Sequence, residues 1–122
     1  MLQNNFYTLS SRNDNEKDTI SATVLIDKNH PIFKGHFPEK PVLPGVCLMQ
    51  IIKDILEDKI NKLVFLESIS NLKFINIVNP FEHSELEINL KINRTIEPFF
   101  KINGVIFFKD IVFLKIINAI YF

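Results

Sequence analysis

The stretch NHPIFKGHFPEKPVLPGVCLMQIIKDILEDKI, residues 29 to 60, decides the fold. Its first part, residues 29–43, is a loop interrupted by prolines, and it carries His36 between a glycine and a phenylalanine. Its second part begins at Pro44, and proline is tolerated at the first position of a helix. Apolar side chains then recur at three- and four-residue steps, at Val46, Met49, Ile52, Ile55, Leu56 and Ile60. This period predicts an amphipathic helix over 44–60 that places Gln50 and Asp54 on its polar side.

The strongest motif is GHFP at 35–38 followed by PVLPGV at 41–46. It resembles the signature of the 3-hydroxyacyl-(acyl carrier protein) dehydratases, and a weaker likeness extends from residue 20 to about residue 115. The resemblance implies an α+β chain with the hot-dog fold, in which a curved antiparallel sheet wraps a long central helix. We expect one such domain over residues 1–122.

Dehydration of a 3-hydroxyacyl thioester requires a base, an acid for the leaving hydroxyl, and donors for the carbonyl oxyanion. His36 suits the base because an unperturbed imidazole titrates near neutrality. The N–H of Gly45, at the helix start, suits the oxyanion. The resemblance places the acid at position 50, contributed by the other subunit, and an amide at position 54. This chain has Gln50 and Asp54, so the two groups are exchanged.

The exchange leaves several possibilities open. A glutamine can hold a hydroxyl or a water by hydrogen bonding, but it cannot deliver a proton. Asp54 lies one helical turn further on and could be the acid, or it could belong to a solvated helix face. His36 could also make both proton transfers alone. Otherwise the chain is a relative that binds acyl groups without catalysis.

Three functions follow from the resemblance. The leading hypothesis is a lyase, a 3-hydroxyacyl-(acyl carrier protein) dehydratase of fatty-acid or polyene-type lipid synthesis. The alternatives are a hot-dog thioesterase, with Asp54 directing water, and a non-catalytic acyl-binding partner of an active dehydratase. We expect no resident cofactor, since the substrate arrives on the 4′-phosphopantetheine of acyl carrier protein.

The residues that flank the motif fall into two groups. We expect the substrate tunnel to be lined by Phe37, Pro44 and Val46. A basic rim for the acidic carrier protein would consist of Lys34, Lys40 and Lys53, although ordinary solubilising lysines explain them as simply.

Composition excludes several other classes. Fourteen basic residues balance fourteen acidic ones, so nothing points to nucleic acid. No apolar run reaches the roughly 20 residues of a membrane span. Residues 1–18 have neither a basic n-region nor an apolar h-region, so we do not expect them to be a signal peptide. With a single cysteine, Cys47, no internal disulfide can form, which suits the cytoplasm. Cys47 itself lies in an apolar stretch and is expected to be a buried core residue. The three histidines show no metal-ligand spacing.

The remaining sequence predicts antiparallel strands. Residues 19–27 are rich in β-branched residues, and residues 85–94 alternate cleanly between apolar and polar side chains. We expect strands at 63–70 and 71–78 around a bend near 70–71. Residues 1–18 are expected to end in a loop, after a short first strand or a helix at residues 6–9. Asn103-Gly104 predicts a two-residue hairpin between 99–102 and 105–116.

The phenylalanine- and isoleucine-rich C-terminal strands exceed what one helix can cover. We therefore expect a homodimer or a higher homo-oligomer, which the family resemblance also implies.

Overall fold

The computed structural model describes residues 6–16, 18–33 and 41–122, with only the backbone of Asn15. Its elements are β1 (Tyr7–Glu16), β2 (Thr19–Ile26), a 3-10 turn (Pro31–Phe33), α1 (Gly45–Ile60), β3 (Leu66–Phe74), β4 (Glu85–Asn93), β5 (Phe100–Phe108) and β6 (Ile111–Tyr121). The six strands form an antiparallel sheet in the order β1-β2-β4-β5-β6-β3. One α-helix and one antiparallel sheet in the described residues confirm the α+β class. Four predicted site residues lie outside the described residues: Lys34, His36, Phe37 and Lys40.

The helix α1 begins one residue later than predicted, because Pro44 is its N-cap and not its first helical residue. It ends at Ile60, where Asn61 adopts the left-handed conformation that commonly closes a helix. The buried stripe consists of Cys47, Leu48, Ile51, Ile52, Ile55 and Leu56. The prediction that Val46 lies on the buried face is wrong, since that side chain is 74% exposed. Apolar residues cover more than one side of this helix, and the adjacent pairs 47–48, 51–52 and 55–56 form its buried face.

The core lies between this buried stripe and one face of the sheet. The predicted alternation of β4 is confirmed, since its four even-numbered apolar residues from Leu86 to Ile92 are buried. Strand β2 alternates in the same way, with Ile20, Ala22, Val24 and Ile26 buried. These side chains join those of α1, β5 and β6 in one hydrophobic cluster. The alternating pattern works here because successive side chains of a strand point to opposite faces.

Strand β1 is longer than the sequence predicted, because the strand or helix expected at residues 6–9 continues to Glu16 where a loop was expected. Residues 7–16 pair with β2 from Tyr7 opposite Ile26 to Glu16 opposite Thr19, with two register shifts. Most of its side chains are exposed, so the strand has no apolar alternation to reveal it. Backbone hydrogen bonds to β2 hold a polar strand in place at the edge of the sheet.

Strand β5 corrects the predicted hairpin. It runs without a break through Asn103 and Gly104, and the turn lies instead at Lys109-Asp110, where Lys109 has a φ of 53°. A Cβ at Gly104 would lie 2.6 Å from Leu90 Cδ2 and 3.1 Å from Ile116 Cγ2. The glycine therefore makes room for two core side chains. Asn103 Oδ1 accepts a hydrogen bond of 2.9 Å from the backbone N–H of Asn118, beside an irregularity in the β5–β6 register.

Strand β3 is a single strand from Leu66 to Phe74, so the predicted bend at 70–71 is wrong. It pairs only with β6 among the described strands, and nearly all of its side chains are exposed. The C-terminal strands, by contrast, bury much of their apolar surface within the chain, at Ile102, Ile106, Phe113, Leu114, Ile116, Ala119 and Tyr121. The uncovered apolar surface thus lies on β3 and not on the C-terminal strands.

Candidate functional site

The N-terminus of α1 is the part of the motif that the structure describes. Pro44 has extended backbone angles, φ −58° and ψ 145°, and no side chain in the described part of the chain caps this end of the helix. The segment is held from both sides: Leu43 N donates to Val78 O at 2.8 Å, and Cys47 N donates to Pro44 O at 2.9 Å. The first N–H groups of a helix have no intrahelical acceptor and form a partial positive charge. This end of α1 is therefore suited to hold a developing negative charge.

Gly45 has a packing reason to be glycine. A Cβ at this position would lie 2.6 Å from Cε1 and 2.8 Å from Cζ of Phe74. The ring of Phe74 thus lies directly against the helix start, on the side of the edge strand β3. An aromatic ring can approach the backbone this closely only because Gly45 has no side chain, and a substrate at this position would have the same requirement.

Gln50 and Asp54, the exchanged pair, are in direct contact. Gln50 Nε2 donates a hydrogen bond of 2.7 Å to Asp54 Oδ1, across one turn of α1. The other carboxylate oxygen, Asp54 Oδ2, accepts a hydrogen bond of 2.7 Å from the hydroxyl of Tyr7. All three side chains are half-buried. Both oxygens of Asp54 therefore act as acceptors, one for a helix neighbour and one for β1.

Tyr7 is a site residue that the sequence analysis missed. It lies 47 residues from Asp54, at the first position of β1. Burial raises the pKa of its hydroxyl, and the hydrogen bond to the Asp54 carboxylate raises it further. Nothing local in the sequence marks this tyrosine, since the contact depends on how β1 lies along α1.

A cleft of about 200 Å³ lies between β1 and α1 beside this contact. It is lined by Tyr7, Leu9, Arg12, Asp54, Ile55 and Asp58. Arg12 donates hydrogen bonds to Asp58 on the helix and to Asp14 on its own strand, and Lys59 Nζ lies 2.8 Å from Asp14 Oδ2. The hydrogen bond from Arg12, which has the larger effect, and the one from Lys59 lower the pKa of Asp14 to about 2. A polar network therefore ties β1 to the helix along this whole flank.

The remaining predicted site residues are placed as follows. Pro44 is half-buried at the helix start, whereas Val46, two residues later, is largely exposed. Lys53 has its Nζ 5.6 Å from the centre of the Phe65 ring, which is a cation–π geometry. The structure thus brings Gln50 and Asp54 together, on the helix that Gly45 begins.

Cys47 is buried, as predicted, and burial raises the pKa of its thiol. A thiol in that environment is a core side chain and not an activated nucleophile. Within residues 6–16, 18–33 and 41–122, no group of three histidine, cysteine or acidic side chains could hold a metal ion. Nor does any helix in that part of the chain have the length and apolar character needed to cross a membrane.

The flank of α1 on the β3 side is apolar and open. Large apolar side chains are exposed there and in the adjoining segments, at Val46, Leu63, Phe65, Leu66, Leu72, Phe74, Ile75 and Ile77. We call this set the β3 flank. A surface of this kind marks an interaction site more often than it occurs on a monomer.

The model of the ApeI-like family, described as ApeI dehydratase, matches residues 11–105. The chain belongs to the ApeI-like dehydratase family. Among solved structures, the dehydratase heterocomplex ApeI:P from Xenorhabdus doucetiae contains a chain with a TM-score of 0.70 and 17% identity, over 93% of this chain and 96% of that one. An uncharacterised protein from Erwinia carotovora subsp. atroseptica gives 0.69 and 20% identity, over 95% of each chain. These likenesses confirm the hot-dog fold for this member of the ApeI-like family.

Curated relatives of this ApeI-like chain carry the name 3-hydroxyacyl-[acyl-carrier-protein] dehydratase FabZ. The relative from Aeromonas hydrophila is 33% identical over 94 residues, 69% of this chain and 61% of that protein. The relative from Caulobacter vibrioides is 30% identical over 100 residues, 75% and 62% of the two chains. A shorter match to the Rickettsia typhi protein reaches 43% over 70 residues, 51% and 48% of the two chains. The aligned part therefore spans about three fifths of the first two relatives, and the resemblance to the dehydratases is confirmed at the level of the family.

Proposed function

We propose that the chain acts as a 3-hydroxyacyl-thioester dehydratase, with the acyl group carried on acyl carrier protein, in fatty-acid or polyene-type lipid synthesis. The observation that carries the proposal is the N-terminus of α1 at Pro44-Gly45, which no described side chain caps and which follows the GHFP motif on the same helix as Gln50. The family and its FabZ relatives support the same reaction. The substrate would be held through 4′-phosphopantetheine, with no resident cofactor.

The proposed chemistry uses the motif residues in order. His36 removes a proton from the carbon next to the thioester carbonyl, and the charge that develops on the carbonyl oxygen is stabilised by the N–H of Gly45. Gln50 holds the 3-hydroxyl group. The C–O bond then breaks, the hydroxyl takes a proton and leaves as water, and an enoyl thioester remains. The donor of that proton is either His36, returning the one it removed, or Asp54.

The proposed assembly is a dimer or a higher oligomer joined at the β3 flank. The exposed apolar side chains of β3 and its outer edge, which no described strand pairs, support this arrangement, because both features favour pairing with another chain. The ApeI:P structure is a heterocomplex, so the second subunit is either a copy of this chain or a related one. Phe37, Pro44 and Val46 would line the acyl tunnel, and Lys34, Lys40 and Lys53 would meet the acidic carrier protein. The proposed location is the cytoplasm.

The test is an assay of purified protein with 3-hydroxyacyl carrier-protein thioesters, separating enoyl product from free acid. We expect enoyl product, and we expect His36→Ala to reduce its rate about 100- to 10,000-fold. Release of free acid would identify a thioesterase.

A binding-only role is the second candidate, and Gln50 is the residue that favours it. Acyl carrier protein that binds tightly without turnover, combined with activity gained in Gln50→Glu, would establish that role.

A further inference from the structure

Asp54 has its hydrogen-bonding capacity directed inward, to other side chains of the same chain. Its Oδ1 accepts a hydrogen bond from Gln50 Nε2, and its Oδ2 accepts one from the Tyr7 hydroxyl, both at 2.7 Å. An ionised carboxylate can only accept hydrogen bonds. Of the two ends of the Gln50 carboxamide, only the NH2 group can therefore face Asp54. The carbonyl oxygen Oε1 is consequently turned away from Asp54.

We propose that Tyr7 is a positioning residue that acts through Asp54 to fix the Gln50 carboxamide, so that Gln50 Oε1 accepts the hydrogen bond of the substrate's 3-hydroxyl group. This inference rests on the proposed dehydratase function and names the division of labour within that site. Tyr7 and Asp54 set the direction of the amide, and of these three residues only Gln50 contacts the substrate.

The arrangement explains how the exchange of acid and amide is tolerated. A hydroxyl that donates its hydrogen to Gln50 Oε1 keeps its oxygen lone pairs free to accept a proton. That proton comes from His36, which has just removed one from the neighbouring carbon. One C–H bond and one C–O bond break, the same proton moves to the leaving oxygen, and water departs. No second acid is required, and Asp54 takes no part in the proton transfer.

The hydrogen bond from Tyr7 also restricts Asp54 itself. An aspartate on a helix can turn toward solvent, and Asp58, one turn later, is largely exposed where it meets Arg12. Asp54 is held instead by a strand on the other side of the cleft. The amide of Gln50 is thus anchored to the sheet through two successive hydrogen bonds, from Gln50 to Asp54 and from Tyr7 to Asp54. We call this pair of bonds the anchor, and the bond from Tyr7 its outer bond.

The decisive comparison is between two substitutions of Asp54. In Asp54→Asn, the new amide can accept from Gln50 through Oδ1 and donate to the Tyr7 oxygen through Nδ2, so the anchor persists. We expect turnover about tenfold below wild type for Asp54→Asn and about 100-fold below it for Asp54→Ala, where the amide is free. If Asp54 were the proton donor, both variants would lose about 100- to 10,000-fold alike. Equal losses would overturn the proposal.

Tyr7→Phe removes one hydroxyl and tests the outer bond of the anchor. We expect kcat to fall about tenfold with little change in KM, because a misdirected amide impairs the transition state more than binding. The matched control is Tyr121→Phe, since Tyr121 is the only other tyrosine and lies in the core on β6. An unchanged kcat in Tyr7→Phe would contradict the proposal.

A spectroscopic arm separates this inference from the proposed function. The side-chain amide signals of Gln50, assigned by their loss in Gln50→Leu, should shift in Tyr7→Phe and in Asp54→Ala, and should not shift in Tyr121→Phe. This readout needs no turnover. Wild type without activity would defeat the dehydratase proposal, whereas Gln50 amide signals unmoved by Asp54→Ala would defeat the anchor.

Discussion

The two flanks of α1 are built in opposite ways. Toward β1, polar side chains connect the helix to the strand. Asp54 accepts a hydrogen bond from Tyr7, Asp58 accepts one from Arg12, and Lys59 donates one to Asp14. Toward β3, the helix start meets the ring of Phe74, and apolar side chains stand exposed. The chain thus completes one flank of its helix by itself and leaves the other open. A flank that is satisfied internally can position a catalytic group, whereas an open apolar flank is suited to a second subunit.

The largest effect is expected from charge on the open flank. Leu72→Lys combined with Phe74→Lys places two cations on the inner side of β3, and like charges would then face each other across a symmetric pair. We expect wild type to sediment at twice 14.2 kDa and the variant at 14.2 kDa. Leu25→Lys, a comparably exposed leucine on β2, is the control and should leave the mass unchanged. A monomeric wild type would show that the open flank does not join two copies.

The next effect concerns the interior, where Gly104 faces two core side chains. Gly104→Ala would place a methyl group against Leu90 and Ile116, both essentially buried. Because both side chains belong to the buried core, displacing them disturbs its packing, and we expect a loss of about 1–3 kcal/mol in the free energy of unfolding. Urea denaturation measures it. In a Leu90→Val background, which removes the opposing Cδ2 atom, the loss should be smaller; an equal loss would assign the effect to the backbone.

Gly45→Ala is the corresponding substitution at the open flank, and we expect a smaller effect. The opposing ring of Phe74 is 53% exposed and can swing outward. Alanine is also favoured over glycine in a helix by up to about 1 kcal/mol, which offsets the clash. The free energy of unfolding should therefore fall by less than about 1 kcal/mol. In a Phe74→Ala background the same substitution should become stabilising, and a sign that does not change would argue against the ring contact.

The smallest effect is expected from acid titration of the polar flank. Arg12 and Lys59 lower the pKa of Asp14 from its ordinary value of 3.8 to about 2. Its contribution to stability is therefore present above pH 4 and is lost as the pH falls from about 4 toward 2. The pair is partly exposed, so the contribution is below about 1 kcal/mol and decreases with salt. In Arg12→Gln, the free energy of unfolding should depend less on pH in this range. An unchanged pH dependence would show that Arg12 does not lower the pKa of Asp14.

The sequence predicts those parts of the molecule whose determinants are local. The alternation in β4 and the helical period in α1 identify both elements because each reflects a single buried face. The motif at 35–46 identifies the family because it combines several specific residue types in a fixed order.

What the sequence does not predict depends on distant partners. Asn103-Gly104 has the composition of a hairpin turn, yet it lies within β5 because Leu90 and Ile116 need the space. Strand β1 is polar, and its position follows from pairing with β2 and from bonds to the helix. The role of Tyr7 depends on a contact with Asp54, which lies 47 positions later in the sequence, and no periodic pattern of residues indicates such a contact.

The position of β3 in the sheet has a consequence for biosynthesis. Phe74 pairs with Leu114, which leaves the ribosome forty residues later, and Leu66 pairs with Tyr121. The strand thus has no described sheet neighbour until β6 has emerged, while its apolar side chains are already in water. Pairing between such distant segments is slow, and an unpaired apolar strand is prone to aggregate in the interval. We therefore expect the yield of folded protein to depend on chaperones that shield nascent apolar segments during this delay.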